Sequence, residues 1–299
     1  MTSSRRSSVA TALLALVFTI AGAANAFAQS DKTYVSGVGD DANTCGRTDP
    51  CKTFPGAISR TNAGGVISVM DSGGFGSVTI TKSITIDGGS HLGGVLASST
   101  FGITINAGAG GVVVLRNLSL EGFSGSTYGV KVNSAQSVHI EHCTIVGFGN
   151  RGIDFNASTT SMLTMNDVSI RQSGYGVEVH NGHVTAEQLT LQQNTNGLLV
   201  SGPAHVSVRN SLVSGSLMGF IAAYDSHAML IVENSVATGN EWGVVAGTGA
   251  TVRLANSRII GNFTTGLYND GASFIVSMGG NAVTGNTTDG SFTSTITIR

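Results

Sequence analysis

The sequence predicts an all-β solenoid, and three observations carry that expectation. A glycine marker runs through Gly129, Gly152, Gly176, Gly197, Gly219, Gly243, Gly266 and Gly290 at intervals of 21 to 24 residues. A second marker keeps the same beat at 21 to 25, through Asn117, His142, Asp167, Gln188, Asn210, Asn234, Asn256 and Asn281. One period held by two markers is the signature of a repeat architecture. Apolar residues then alternate in short runs: Val138/Ile140 and Val206/Val208 before the second marker, Val168/Ile170 and Leu189/Leu191 after it, Ile153/Phe155 and Val177/Val179 after the glycine. Such period-two runs are strands with one buried side, and no stretch of the repeats sustains a helical period. Three strands and three turns per repeat make one rung of a right-handed parallel β-helix; a leucine-rich repeat would need a denser Leu lattice.

Taken in order, residues 1–28 read as a secretory signal. Arg5 and Arg6 form the basic region, Val9 to Ala24 the apolar stretch, and Ala26-Phe27-Ala28 the small-residue cleavage site. Ser7-Ser8-Val9 lacks the bulky apolar follow-up of a twin-arginine signal, so general export is expected. Residues 29–65 form an N-terminal cap. There Cys45 and Cys51 bracket a short polar segment, and an oxidising compartment makes a local disulfide the natural pairing. Thr53 to Thr61, with Pro55 in the first turn, reads as a short amphipathic helix closing the end of the solenoid. Residues 66–299 are the β-helix, with irregular early rungs at Val66–Val69, Val78–Ile80, Ile84–Ile86 and Ile103–Ile105. At about 4.8 Å per rung, roughly ten rungs span about 50 Å. The last strand-like run, Thr293 to Ile298, has no evident cap beyond Arg299. Cys143 falls in the inward phase of Leu118 and Val168 and reads as a buried, inert thiol.

Composition excludes several classes. Only 11% of the 299 residues are charged, and the formal charge is −2, so the basic face of a nucleic-acid binder is missing. With 42 Gly but 3 Pro the chain is neither collagen nor a Pro-rich linker. After residue 28 no apolar run is long enough to span a bilayer as a helix, so no membrane span is expected in the mature chain.

Stacking at the interstrand spacing puts equivalent side chains in columns. Asn117, Asn210, Asn234, Asn256 and Asn281 are expected to form a structural ladder of left-handed turn residues, joined by amide hydrogen bonds. The preceding positions Arg116, Glu141, Asn166, Glu187, Arg209 and Glu233 read as a surface ladder of alternating charge.

The run Thr33 to Asn43, followed by Pro50-Cys51-Lys52-Thr53-Phe54 and Ala57-Ile58, resembles the opening segment of secreted bacterial right-handed β-helix proteins of the pectate-lyase-like superfamily. With the rungs, the resemblance covers nearly the whole mature chain, but it matches no specific enzyme family. It implies that a site lies on the outward face of the strand after each repeated glycine. The matching outward positions are Lys131, Asp154, Glu178, Leu199, Ile221, Val245 and Tyr268. The row before the glycine is Tyr128, Arg151, Tyr175, Asn196, Met218, Trp242 and Thr265. Early rungs thus present charge, with His180 close by, and later rungs an apolar strip.

Two functions follow as expectations. The first is an exported scaffold of the periplasm, cell surface or extracellular space, without catalytic motif. It would recognise carbohydrate or an envelope partner through Tyr128, Tyr175, His180, Trp242 and Tyr268. A bare apolar strip of this length also invites oligomer formation, as does the C-terminal edge. The alternative is a lyase or epimerase acting on a uronate polymer. Lys131 or Arg151 would then be the base, with Asp154 and Glu178 holding Ca²⁺. The Asp triad and Gly-His-Gly arrangement of β-helix polygalacturonases is absent from the sequence. No cofactor is expected for the scaffold. His139, His142 and Cys143 point three ways and make no metal site; His180 and His183 span a turn and read as solvated. Asp40, Asp41 and Asn43 read as capping residues, and Asn117, Asn156, Asn262 and Asn286 fall in glycosylation sequons that carry no weight if the source is bacterial, as the resemblance implies.

Overall fold

The computed structural model describes residues 29–91, 93–97, 101–123 and 125–296. The expected signal segment, 1–28, and Arg299 lie outside the described residues. The chain winds as a right-handed parallel β-helix. One face is a sheet of nine parallel strands: Val78–Ile80, Phe101–Asn106, Tyr128–Ser134, Arg151–Phe155, Tyr175–Val179, Asn196–Val200, Met218–Ala222, Trp242–Ala246 and Thr265–Asn269. That gives about nine turns, against the roughly ten the sequence suggested. The other two faces merge into a second sheet, since strands such as Ser137–Val146 and Met162–Arg171 run on through the turn residue.

Register on the nine-stranded face is in phase from Val130 to Leu267. Val130, Ile153, Val177, Leu198, Phe220, Val244 and Leu267 pair successively and point into one buried core. From Gly129 to Gly266 the repeated glycine is required by close approach rather than by φ, whereas Gly290 adopts φ 74°. A Cβ on Gly176 would lie 2.7 Å from the carbonyl oxygen of Gly197, and one on Gly197 would lie 2.5 Å from that of Gly219.

The turn marker adopts the left-handed conformation, with φ of 49° to 56° at Asn117, His142, Asp167, Gln188, Asn210, Asn234 and Asn256. Two corrections apply. Asn281 is shifted by one position: Gly280 (φ 70°) stacks on Asn256, and Asn281 instead accepts a bond from the Ser257 amide at 2.9 Å. Moreover, the left-handed amides do not bond to one another; Asn210 donates to Glu187 at 2.8 Å and Asn117 to Asp87 at 3.0 Å. The amide ladder lies on a different row inside the coil. Asn262 accepts from both the backbone and side chain of Asn240 at 3.1 Å, and donates to Asn286 at 2.8 Å and to the Ala237 carbonyl at 3.1 Å. Asp289 ends the column by accepting from the Asn286 side chain at 2.8 Å. Residues 286–290 also cover the last exposed strand of the nine-stranded sheet, as Gly266 and Leu267 donate to Thr288 and Asp289. This is the C-terminal cap the sequence did not reveal. The charge ladder is reduced to separate pairs, Arg116–Asp87 at 3.0 Å and Arg209–Glu233 at 2.7 Å.

At the other end a helix, Phe54–Arg60, closes the core with Phe54 and Ala57 buried, and Thr53 Oγ1 accepts from the Gly56 amide at 3.0 Å as its cap. Asp41 in turn accepts from the Thr53 amide at 2.9 Å, and Asp40 from Ala42 at 2.9 Å, so these carboxylates serve the cap. Cys45 and Cys51 form a disulfide with both residues buried. The paired Cys45→Ser/Cys51→Ser variant is expected to lose about 2 kcal/mol, the entropy of so small a ring, read as a lower urea midpoint. Cys143 is buried, and burial pushes its thiol up to about 12.

Two carboxylates near the N-terminal end link stability to pH. The Gly37 amide, at 2.7 Å, and then the Ser36 hydroxyl hold Asp71 below its ordinary 3.8. For Asp87 burial alone would raise the value, but bonds from Asn117, Gly89 and Arg116 outweigh it and the net shift is downward. Depressed carboxylates stabilise the fold above their unfolded-state values and lose that contribution as pH falls through the folded ones. The urea midpoint should therefore drop on acidification below about 3.8, the value these groups have when unperturbed. Asp87→Asn should flatten that drop.

Candidate functional site on the nine-stranded face

The outward row of the nine-stranded sheet places the expected residues in register. Lys131 pairs with Asp154, Asp154 with Glu178, and Glu178 with Leu199, followed by Ile221, Val245 and Tyr268. The row before the glycine stacks Phe101, Tyr128, Arg151, Tyr175, Asn196, Met218, Trp242 and Thr265. Two zones result, and they adjoin at the Glu178–Leu199 step.

The polar zone is a closed network. Asp154 and Glu178 are only 4% and 5% exposed although they sit on an outward row. Arg151 bonds Glu178 through Nε, lies 3.4 Å from Asp154 Oδ1, and donates from Nη1 to the Tyr128 hydroxyl at 3.0 Å. The Tyr128 hydroxyl also accepts from Asn150 at 3.0 Å. His180, which read as solvated, belongs here. Its Nε2 lies 3.0 Å from Asp154 Oδ1 and its Nδ1 3.1 Å from Ser201 Oγ, while Ser201 donates to Glu178 Oε1 at 3.0 Å. Ser201 had no signal of its own; it stacks one rung beyond His180. His183 is elsewhere, stacked on His205 at 5.5 Å.

Electrostatics separate the two cationic residues. Burial by itself would lower the Arg151 value, but the hydrogen bond and charge of Glu178, then the charge of Asp154, leave it raised. Arg151 is thus held as a guanidinium and cannot take up a proton. Lys131 stands apart from the carboxylates, its Nζ 4.8 Å from the Tyr128 ring centre and 5.3 Å from that of Phe101.

Ligand atoms of Asp154, Glu178 and His180 lie within 4.8 Å of one another, a spacing compatible with a cation. Calcium does not fit this set. One donor is an imidazole nitrogen, whereas Ca²⁺ takes oxygen ligands, and both carboxylates are already engaged by the Arg151 guanidinium.

The apolar zone differs from the bare strip expected. Leu199, Ile221 and Val245 are 3%, 2% and 7% exposed, because Tyr175, Met218 and Trp242 of the neighbouring row pack against them. They form the floor of a groove of about 270 Å³ whose walls include Tyr175, Trp242 and the exposed Tyr224. Trp242 stacks on Tyr268 with ring centres 5.3 Å apart and planes at 15°.

Residues 151–298 match the family described as "Right handed beta helix region". That description agrees with the fold: the chain is built as a right-handed parallel β-helix. Among solved structures the β-helix protein is similar to a pectate lyase, Pel9A, at 17% identity and a TM-score of 0.55, covering 84% of this chain and 68% of that one. It is also similar to a GH136 lacto-N-biosidase from Eubacterium ramulus, at 11% identity and a TM-score of 0.51, covering 85% and 63% of the two chains. At these identities the likeness is one of fold. No match is found among curated protein sequences. Among the described residues no helix is long and apolar enough to cross a membrane.

Proposed function

We propose that the β-helix protein is an exported scaffold that binds carbohydrate along its nine-stranded face. One observation carries the reading: a hydrogen-bonded polar zone (Tyr128, Arg151, Asp154, Glu178, His180) adjoins a groove walled by Tyr175 and, three rungs further on, Trp242. Sugars need both kinds of contact, since their hydroxyls pair with fixed polar groups while their C–H faces lie against aromatic rings. Two similar folds, a pectate lyase and a lacto-N-biosidase, are carbohydrate-active by name, which agrees with this reading.

Trp242 is the only tryptophan of the chain, so its emission reports on the groove directly. Titration with neutral and uronate oligosaccharides is expected to give a saturable change with at least one of them. Trp242→Phe, read by calorimetry, should weaken that binding about tenfold, near 1.4 kcal/mol. A flat titration across the whole panel would remove the proposal.

A second reading, a lyase or epimerase on a uronate polymer, draws on Arg151 held against the two carboxylates and on Lys131 in register with Asp154 one rung earlier. Because Arg151 is held charged, Lys131 is the base this reading must use and Arg151 the group that faces the substrate carboxylate. Polyuronates would then yield an unsaturated product detectable by ultraviolet absorbance, abolished in Lys131→Ala. Binding without any rise in absorbance leaves the scaffold reading alone.

A further inference from the structure

We propose that the outer face of the second sheet carries a copper site, formed by His183 and His205 between Met162 and Met229 and independent of the carbohydrate reading. The four residues stand at the start of the strands Met162–Arg171, Gly182–Gln192, Ala204–Arg209 and Met229–Glu233, and parallel register stacks them in consecutive rungs. Alternation turns all four away from the core. Leu163, Val184, Val206 and Leu230, the next residue along each strand, are buried, whereas Met162, His183 and His205 are exposed and Met229 is half-buried.

The two imidazoles lie side by side, with ring centres 5.5 Å apart and planes at 22°. Among the described residues neither ring makes a hydrogen bond or an ion pair, unlike His180 with Asp154 and His227 with Asp225. Like charges at directly opposite positions destabilise a sheet, so the pair is costly as two imidazoliums and favourable as two neutral ligands of one ion. Nitrogen–metal bonds of about 2.0–2.1 Å put two ligating nitrogens about 4 Å apart or less. Rungs spaced at about 4.8 Å allow that once two exposed rings turn about their side-chain bonds. The neighbours on either side select the metal. Imidazole accepts several transition metals, while a thioether is soft and prefers cuprous copper, so copper is the ion that suits both. Met162 is 55% exposed, which leaves its sulfur on the same surface as the rings. The four-residue column holds no carboxylate for a hard ion such as calcium.

Anaerobic titration of the full chain with tetrakis(acetonitrile)copper(I), followed by NMR, tests this. Saturable shifts are expected at the Met162 and Met229 methyls and at the His183 and His205 ring protons. His183→Ala/His205→Ala should abolish binding, while His227→Ala, at an exposed histidine elsewhere, should leave it intact. Met162→Leu/Met229→Leu should weaken cuprous binding about tenfold, the lower end of what groups supporting a metal contribute, with zinc binding by calorimetry unchanged. A merely structural role would not separate the two ions, and an unaltered urea midpoint shows that each variant folds. No saturable shift, or copper binding that survives in the double histidine variant, overturns the inference. Cuprous binding as tight in the double methionine variant as in the wild type overturns it too, because the thioethers would then not select the ion.

Discussion

Arg151→Met is expected to destabilise the protein by about 3–5 kcal/mol, the cost of stranding buried carboxylates. The guanidinium is the positive partner of both Asp154 and Glu178, and each carboxylate is almost fully removed from water. His180 and Ser201 stay behind as hydrogen-bonding partners but do not replace the lost charge. Urea unfolding measures the loss. The triple variant Arg151→Met/Asp154→Asn/Glu178→Gln should recover most of it, because neutral groups of similar shape leave no unpaired charge. If the single variant is as stable as the wild type, the network is not the buried ion cluster described here. The triple variant also separates stability from binding, as it should fold and yet fail to retain sugar.

The second large effect is expected at Asn262, far from any proposed ligand. Asn262→Ala strands the Asn240 amide N–H, the Asn240 side-chain N–H and the Ala237 carbonyl, all inside the coil. At about 1–3 kcal/mol per stranded group, the loss should be at least about 3 kcal/mol. Asn210→Ala is the control. Asn210 lies on the exposed left-handed row with one side-chain bond, to Glu187, and should cost about 1 kcal/mol or less. Comparable losses at the two positions would mean that the inner row does not carry the ladder.

The fold was legible because the solenoid repeats its constraints. The glycine beat marks where backbone meets backbone, and the Asn-type beat marks a left-handed turn; neither depends on contacts distant in sequence. Asn281 was misplaced by one residue because Gly279 and Gly280 take over the left-handed conformation at the last turn. The inner ladder was legible in principle. Asn240, Asn262 and Asn286 keep the 22- to 24-residue beat, but two of them fall in sequons, which drew the reading toward the surface. The site was half legible. Register put Lys131, Asp154 and Glu178 in one row, yet the burial of Asp154 and Glu178 was not foreseen, because it depends on how the long side chains of the neighbouring row, Arg151 among them, fold over it. The same folding-over turned an expected bare strip into a lined groove. Ser201 could not be read at all, since hydrogen-bond partnership is a matter of orientation rather than spacing.

Methyl-labelled NMR during sugar titration tests the central claim most directly, because one strand presents residues to both sides. On Asn196–Val200 the outward Leu199 adjoins the inward Leu198 and Val200, and on Trp242–Ala246 the outward Val245 adjoins the inward Val244. The account predicts shifts at the Leu199, Ile221 and Val245 methyls with Leu198, Val200 and Val244 unmoved. Shifts confined to any other face of the coil, or none with a sugar that demonstrably binds, would contradict it.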